Sequence, residues 1–225
     1  IREERKRFSR ESIEKKHAHD YVSYVDKESE KRIVTRLKEL LPDAGFIAEE
    51  GSGSMTDEKY CWVVDPLDGT TNFIHDNSPY CVSIALRDEK ELLLGVVYEI
   101  CRDECYWTYK GAPSYLNGNV IHVSSVNTLD DAFIAIGFPY RAEEYKPFAL
   151  RFIKTCYGNV AGLRLVGAAA AEMCYVAAGR FDARIESYLG PWDIAAGCLI
   201  LQNAGGKVTD FSGGNTFYSG HQVLA

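Results

Sequence analysis

No stretch of this sequence is apolar over the roughly 18 residues that a membrane-spanning helix needs, and no signal-peptide pattern is visible. Basic residues are in the minority, with 25 Lys and Arg against 32 Asp and Glu and a net charge of −7. We therefore expect neither a membrane nor a nucleic-acid backbone as a direct partner. Small phosphorylated molecules are not excluded, because bound cations can reverse the sign of the charge at an acidic site.

The seven cysteines include no Cys-x-x-Cys pair and no zinc-binding pattern with histidine. Most lie in apolar segments, as expected for free thiols in a reducing compartment, and we predict a cytoplasmic protein. A Gly-x-Ser-x-Gly motif is also absent and the five histidines are scattered, so the sequence indicates no serine or cysteine nucleophile. It begins at Ile1 within a polar helical pattern, and we expect both ends to be truncated.

Residues 60–74, YCWVVDPLDGTTNFI, form the most informative segment of the chain. The apolar run from Cys61 to Val64 predicts a buried strand that delivers Asp65 at its end. Pro66 has a fixed φ and no backbone N–H, so we expect the strand to stop there and the chain to turn.

Asp68 follows Asp65 at a spacing that lets one turn of backbone bring both carboxylates to a single point. Gly69 then permits a tight backbone conformation, and Thr70 and Thr71 suit the start of a helix. Two carboxylates beside the exposed N–H groups of a helix start can hold a hard dication and a phosphate together. Taken alone, however, an Asp-x-x-Asp pair is more often a solvated turn with two surface acids.

The part of the chain before this segment predicts two helices and a strand. Residues 1–16 have the pattern of a surface helix, and residues 26–41 carry apolar side chains at helical spacing, with Asp26 where an N-cap belongs. A short strand over 46–48 then leads to Glu49 and a polar loop. Glu49 thus lies at the end of a strand, as Asp65 does.

The order of the later elements predicts two halves. Consecutive strands followed by a hairpin turn at Asn117-Gly118 indicate an antiparallel sheet, and from residue 130 strands and helices alternate as in an α/β protein. The predicted elements are strands 81–87, 92–100, 104–110, 132–138, 162–166, 181–185 and 207–211 and helices 143–157, 168–178 and 193–203. We expect the halves, 1–125 and 126–225, to be joined without a flexible linker and to pack tightly.

Two further acids lie at the ends of predicted elements. Asp193 opens the helix 193–203, where the helix dipole favours a negative charge. Glu186 follows the strand 181–185. Each also has a simpler explanation, because Asp is an ordinary N-cap and a single Glu after a strand is commonly a surface acid.

Two long motifs, in order, resemble the signatures of the inositol monophosphatase family. Residues 60–74 are similar to its Asp-Pro-Leu/Ile-Asp-Gly-Thr-x-Asn-Phe motif. Residues 190–206, GPWDIAAGCLILQNAGG, are similar to its Trp-Asp-x-Ala-Ala-Gly motif with a trailing Ala-Gly-Gly. The intermediate markers at 46–50 and 165–170 agree, and the resemblance covers nearly the whole chain. It implies a layered α/β/α/β/α sandwich of the α/β (α+β) class, with an antiparallel N-terminal sheet and a mixed C-terminal half.

The resemblance also implies a magnesium site with two or three Mg²⁺ ions. Glu49, Asp65 and the backbone carbonyl of Leu67 would hold the first ion. Asp65, Asp68 and Asp193 would hold the second, so that Asp65 bridges the two, and Glu49 would help to hold a weaker third ion. These residue types are consistent with Mg²⁺, which prefers oxygen ligands and keeps several waters. Lithium is expected to inhibit by competing at the second site.

For the substrate, the resemblance implies a phosphate subsite beside Asp68, with N–H groups donated by Gly69 and Thr70. The Thr70 hydroxyl and Asp26 would orient the attacking water. The second half of the chain would contribute the rest of the pocket, in which Glu186 accepts hydrogen bonds from ring hydroxyls. The remaining pocket residues that the resemblance implies are Gly167, Ala168 and Ala169.

The implied activity is Mg²⁺-dependent hydrolysis of inositol monophosphate, or of a similar small polyol or sugar phosphate, by a metal-activated water in a homodimer. Fructose 1,6-bisphosphate, histidinol phosphate and 3′-phosphoadenosine 5′-phosphate are alternative substrates in the superfamily. Residues 188–191 differ from the animal inositol enzymes at the rim of the pocket. A regulatory partner of the transcription machinery is the alternative from another class, since some bacterial members have this role.

Overall fold

The computed structural model describes residues 1–9, 13–17, 20–52, 58–139 and 142–225. It begins with a short helix, a two-stranded antiparallel hairpin and a long helix. These elements are α1 (Arg2–Arg5), β1 (Ile13–His17), β2 (Asp20–Ser23) and α2 (Tyr24–Leu40).

The surface helix predicted over residues 1–16 is wrong. Only Arg2–Arg5 is helical, and Ile13–His17 pairs with β2 instead; residues 10–12 of the predicted helix lie outside the described part of the chain. The predicted helix has few apolar residues with which to bury a face, and most helical stability in proteins comes from such packing. Strand pairing with β2 therefore overrides the helical propensity of residues 13–17.

A seven-stranded sheet follows, with its strands side by side in chain order. β3 and β4 are parallel and every later pair is antiparallel, as predicted for the strands after residue 80. The predicted hairpin turn is confirmed, because Asn117 and Gly118 both have positive φ between β8 and β9. The strands are β3 (Gly45–Ala48), β4 (Tyr60–Asp68), β5 (Cys81–Asp88), β6 (Leu92–Glu99), β7 (Glu104–Tyr109), β8 (Tyr115–Leu116) and β9 (Asn119–Val120).

The short helix α3 (Thr70–His75) follows β4, and the chain after residue 132 forms a smaller, four-stranded sheet with helices. Its strand order is β11-β10-β12-β13, and only the edge strand β13 is antiparallel to its neighbour. The elements are β10 (Phe133–Ile136), α4 (Ala142–Cys156), β11 (Gly162–Arg164), α5 (Ala169–Ala177), β12 (Ala183–Ser187), α6 (Pro191–Asn203), α7 (Phe217–Gly220) and β13 (Gln222–Leu224).

The strand predicted over 207–211 is wrong. Only Thr209 makes a β-bridge, to Leu224, and the Asp210 carboxylate then turns the chain by accepting the N–H groups of Ser212 and Gly214. β13, which the sequence pattern did not predict, is the strand that completes this edge of the sheet. Three residues are too few for a periodic signal, and β13 is defined by its pairing with β12 and by the bridge from Leu224 to Thr209.

Two of the buried apolar clusters lie on opposite faces of the larger sheet, and a third surrounds Phe73 of α3. Trp62 and Val64 face α2, whereas their neighbours Cys61 and Val63 face the central helices α5 and α6. Every residue of α5 is buried, as expected for a helix that is apolar on all sides. The order of layers is α2, the larger sheet, α5 with α6, and the smaller sheet, which confirms the predicted layered α/β sandwich.

The core around α5 and α6 contains residues from both predicted halves, from β3 to β13. We therefore propose 1–125 and 126–225 as two halves of one folding unit. In the parts of the chain that the structure describes, no helix combines the length and the apolar character needed to cross a bilayer.

Candidate metal and phosphate site

A bulge in β4 brings two acids together. The prediction that the strand stops at Pro66 is wrong, because β4 continues to Asp68 with a break in its register. Asp65 pairs with Ser83 and Asp68 pairs with Cys81, so two residues of β4 stand opposite one of β5. Proline is tolerated there because a bulged residue makes no ladder hydrogen bond. In a regular strand, side chains three residues apart would point to opposite faces, and the bulge removes that restriction.

The carboxylates of Asp65, Asp68 and Asp193 form one cluster. One oxygen of each lies within 4.8 Å of the others, and Asp193 reaches the cluster from the first turn of α6 in the other half of the chain. Asp65 and Asp68 are buried, and Asp193 is partly buried. The three predicted ligands of the second ion therefore come together, and they offer only hard oxygen donors, the set that Mg²⁺ prefers.

The cluster is electrostatically incomplete by itself. Burial, followed by the charges of Glu49, Asp68 and Asp193, raises the pKa of Asp65 well above its usual range. Burial and the charges of Glu49 and Asp68 do the same to the pKa of Asp193. Like charges in a buried cluster oppose one another's ionisation, and a bound cation removes both penalties. The donor set and its charge thus fit one or more dications.

Asp68 differs from the other two in its hydrogen bonds. Its Oδ1 accepts the N–H of Ala169 at 3.0 Å, and its Oδ2 accepts the N–H of Ala170 at 2.8 Å and the thiol of Cys81 at 3.2 Å. Burial raises the pKa of Asp68, and these donors oppose that rise. The N-terminus of α5 thus orients a metal-site carboxylate, and the N–H of Ala169 is not free for a substrate.

The predicted ligands of the first ion lie beside this cluster. Glu49 directly follows β3, and its N–H donates to the Val64 carbonyl at 3.2 Å, so it lies next to Asp65 at the same edge of the sheet. The Glu49 carboxylate is close enough to contribute to the raised pKa of Asp65. Leu67 is buried, and its carbonyl accepts the Thr70 hydroxyl at 3.0 Å. The ligand roles of Glu49 and Leu67 stay predictions.

Asp26 contacts Thr70, as the predicted water-orienting pair requires. Asp26 Oδ1 accepts the Thr70 hydroxyl at 2.7 Å. The prediction that Asp26 caps α2 is wrong: Ser23 is the N-cap, and Asp26 occupies the third helical position, where its Oδ2 accepts the Ser23 N–H at 2.9 Å. This reciprocal capping box fixes the buried Asp26 side chain.

Gly69 is the N-cap of α3 and has a φ of +88°. A Cβ at this position would lie 3.0 Å from the Pro79 carbonyl oxygen and 3.1 Å from the Ala168 Cβ, so both conformation and space require glycine. The first N–H groups of a helix have no acceptor within the helix. The Gly69 and Thr70 amides lie at the start of this helix, and their contact with a phosphate stays a prediction.

A cavity of about 490 Å³ opens beside the cluster. Asp68, Gly69, Asp193 and Glu186 all line this cavity. The predicted pocket residues Gly167, Ala168 and Ala169 also line it, as do three exposed apolar side chains, Phe138, Leu165 and Tyr188. The cavity thus connects two carboxylates of the cluster, those of Asp68 and Asp193, with the carboxylate of Glu186.

The predicted strand ends at residue 185, whereas β12 continues to Ser187, so Glu186 lies inside the strand rather than after it. Its side chain is only 15% exposed, so it is not the surface acid of the simpler explanation. Burial raises the pKa of Glu186 to about 7, and the neighbouring Arg184 guanidinium opposes that rise.

Sequence reasoning missed the residues that hold the cavity walls. Asn72 Nδ2 donates to the Pro79 carbonyl at 2.8 Å and to the Val166 carbonyl at 2.9 Å, which ties α3 to the loop before α5. Arg184, which contacts Glu186, lies on β12 with its side chain fully buried. Asn72 stood in the first motif, but nothing in the sequence indicated its partners, and nothing singled out Arg184.

Comparison with known proteins agrees with this geometry. The profile of the inositol monophosphatase family matches residues 1–225, the whole chain. The chain belongs to the inositol monophosphatase family. Its members are phosphatases that generally depend on Mg²⁺, and the cluster described above is the part of this chain that could bind the metal.

Two relatives and one solved structure illustrate the similarity. The Nus factor SuhB of Pseudomonas aeruginosa is 40% identical over 219 residues, which cover 95% of this chain and 81% of that protein. An inositol-1-monophosphatase of Mesorhizobium japonicum is 38% identical over 207 residues, covering 92% and 78%. The crystal structure of the extragenic suppressor protein SuhB from Bartonella henselae has a TM-score of 0.88 at 37% identity, covering 94% of this chain and 82% of that one.

The raised pKa values predict how the metal-free protein responds to pH. A carboxyl group whose pKa is higher in the folded than in the unfolded chain destabilises the fold as the pH rises above about 4, its pKa in the unfolded chain. The melting temperature without metal should therefore fall between about pH 5 and pH 8, and Mg²⁺ should raise it most at the higher pH. Asp193→Asn retains the hydrogen bond from the Gly190 N–H but removes one charge, so it should raise the metal-free melting temperature and reduce the Mg²⁺ effect.

Asp210→Asn is the matched control. Hydrogen bonds from Thr216 and Gly214 lower the pKa of Asp210 to about 2, so this carboxylate stabilises the fold above about pH 4, the opposite sign. This variant should lose stability at pH 8 while keeping the full Mg²⁺ effect. Thermal melts of the wild type, Asp193→Asn and Asp210→Asn, with and without Mg²⁺, measure the melting temperature and the size of the Mg²⁺ effect. A Mg²⁺ effect unchanged by Asp193→Asn would contradict the cluster as a cation site.

Proposed function

We propose that this chain is a Mg²⁺-dependent phosphomonoesterase that releases inorganic phosphate from inositol monophosphate or a similar small polyol phosphate. The observation that carries the proposal is the cavity that joins the Asp65, Asp68 and Asp193 cluster to Glu186. An acidic cluster repels a phosphate unless cations are present, and Glu186 suits hydroxyl groups rather than a second phosphate. Bound Mg²⁺ would supply positive charge for the phosphoryl oxygens and activate a water.

The chain's own residues would position the attack. The phosphate would lie against the Gly69 and Thr70 amides at the start of α3, with the ester oxygen directed toward Glu186. The Thr70 hydroxyl is within donating distance of both Asp26 Oδ1, at 2.7 Å, and the Leu67 carbonyl, at 3.0 Å, and its oxygen would accept a hydrogen from the attacking water. The water would lose a proton to the Thr70–Asp26 pair as the new P–O bond forms, and the alkoxide released when the ester P–O bond breaks would take a proton from solvent water. In-line displacement depends mainly on such positioning and charge neutralisation.

The test of the activity is a phosphate-release assay over a panel of small phosphomonoesters. Turnover should vanish in excess chelator and return with Mg²⁺. Asp65→Asn keeps the acceptor for the Leu67 N–H but removes a charge that two cations would share, so it should retain less than about a tenth of the wild-type rate. Full activity in chelator, or an active Asp65→Asn variant, would contradict the proposal. Lithium is expected to inhibit.

Glu186 is the residue that should distinguish polyol phosphates from other esters. Glu186→Gln should lower kcat/KM for inositol monophosphate by about 1–3 kcal/mol of transition-state binding, the scale of a charge-assisted hydrogen bond. A nitrophenyl phosphate has no ring hydroxyls and should lose much less. Kinetics on both substrates measure the difference, and equal losses would show that Glu186 serves the metal site or the fold.

The same panel includes the alternative substrates fructose 1,6-bisphosphate, histidinol phosphate and 3′-phosphoadenosine 5′-phosphate. Preference for one of them would replace the inositol assignment without changing the chemistry at the metal. We also propose a homodimer and a cytoplasmic location, which rest on the family resemblance and on the cysteine pattern. Light scattering of the purified protein measures its oligomeric state.

A second function has one observation in its favour. The relative from Pseudomonas aeruginosa is named a Nus factor, and at 40% identity a role as partner of the transcription machinery is the rival proposal for this chain. Purification of the chain under native conditions, as wild type and as Asp65→Asn, separates the two roles. Recovery of transcription proteins with both would support a binding role that is independent of catalysis.

A further inference from the structure

Arg184 is an arginine with a fully buried side chain that lies between two carboxylates. Its Nε donates to Glu172 Oε2 at 3.2 Å, and its Nη2 donates to Glu186 Oε2. Arg184 and Glu186 are two residues apart on β12 and thus share a face of the sheet. A buried guanidinium requires such partners, since an unpaired charge in the interior is strongly destabilising.

The network reaches a second wall of the cavity through Glu172. This residue lies on α5 and is buried, and its Oε1 accepts the Gly167 N–H at 2.9 Å. Gly167 and Glu186 both line the cavity. One guanidinium therefore connects, through two carboxylates, the two parts of the chain proposed to surround the alcohol portion of a substrate.

The backbone of Gly137 packs against the Glu186 carboxylate. A Cβ on Gly137 would lie 2.0 Å from Glu186 Cδ and 2.1 Å from Oε2, so the carboxylate rests directly on the glycine backbone. The Gly137 N–H donates to the Ile185 carbonyl at 2.9 Å, which fixes that backbone against β12. Since Oε2 is engaged by Arg184, Oε1 is the oxygen left for a ligand in the cavity.

Stability alone is a weak explanation for this arrangement. Well-packed apolar residues commonly stabilise a core as well as a buried ion pair does. Within the described part of the chain, moreover, the buried Arg184 Nη1 has no hydrogen-bond partner, which is itself unfavourable. Stability therefore does not explain the network. Both of its carboxylates, by contrast, are connected to the cavity: Glu186 lines it, and Glu172 accepts the N–H of Gly167, which also lines it.

We propose that Arg184 is a positioning residue. Together with Glu172 and the backbone of Gly137, it fixes the Glu186 carboxylate for the hydroxyls of a polyol phosphate. It sets substrate selectivity without touching the substrate. This inference rests on the proposed function, because it assigns the selectivity of the same site to residues behind its wall.

The test measures a selectivity ratio, kcat/KM for inositol monophosphate divided by kcat/KM for nitrophenyl phosphate. Arg184→Met should lower this ratio by about tenfold or more in the wild-type background. In the Glu186→Gln background the same change should lower it by less than about twofold, since residues that act as one unit are not additive. Equal factors in the two backgrounds would show that Arg184 does not act through Glu186 and would overturn the proposal.

Two further variants distinguish a loss of selectivity from a loss of folding. Glu172→Gln with Arg184→Met removes both members of the buried pair, so neither charge is left unpaired. Gly137→Ala keeps all three charged residues but displaces the Glu186 carboxylate, because the new Cβ would overlap its Cδ and Oε2 atoms. Both should lower the ratio as Arg184→Met does, with melting temperature and Mg²⁺ response confirming the fold. A wild-type ratio in either folded variant would overturn the proposal.

Arg180→Met is the matched control. Arg180 makes a bidentate ion pair with Glu104, at 2.6 and 2.7 Å, and is not among the cavity-lining residues. Losing this pair should change stability but leave the ratio at its wild-type value, and a lowered ratio would show that any lost ion pair perturbs selectivity. The wild-type ratio is measured first: if it does not exceed that of Glu186→Gln, the proposed polyol function fails before any Arg184 variant is compared.

Discussion

The repulsion among the buried carboxylates of Asp65, Asp68 and Asp193 is the constraint on which the rest of the structure depends. A folded chain avoids such a cluster unless other interactions hold it together, because each charge raises the pKa of its neighbours. Three structural features hold the cluster together: the bulge in β4, the N-terminal amides of α5 and the first turn of α6. The repulsion within the cluster favours the binding of a cation.

Asp68 is the point at which the two halves of the chain meet. It belongs to the larger sheet, yet both of its oxygens are bound by α5, which follows the smaller sheet's strand β11. Asn72 makes a parallel connection from α3 to the Val166 carbonyl. The metal site and the cavity wall are therefore coupled mechanically, and neither half could form the site alone. A continuous core through α5 and α6 supports this coupling.

The sequence predicted the parts of the fold whose signals are local. The strands with clear apolar patterns, the Asn117-Gly118 hairpin and the acids at element ends were all readable, and the family motifs joined those acids into one site. The bulge at Pro66, the edge strand β13 and the Ser23 cap depend on partners far along the chain or on competition between neighbouring caps. Arg184 could not be found at all, because an isolated arginine in a strand gives no sign that it will be buried between two carboxylates.

The account stands on the claim that these three aspartates hold a dication. The most direct measurement is anomalous diffraction from crystals grown with Mn²⁺ in place of Mg²⁺, since both ions take octahedral oxygen sites. The account predicts an anomalous peak within about 2.0–2.3 Å of oxygens from Asp65, Asp68 and Asp193. A catalytically active protein whose crystals show no peak at this cluster, or show manganese only elsewhere, would contradict it.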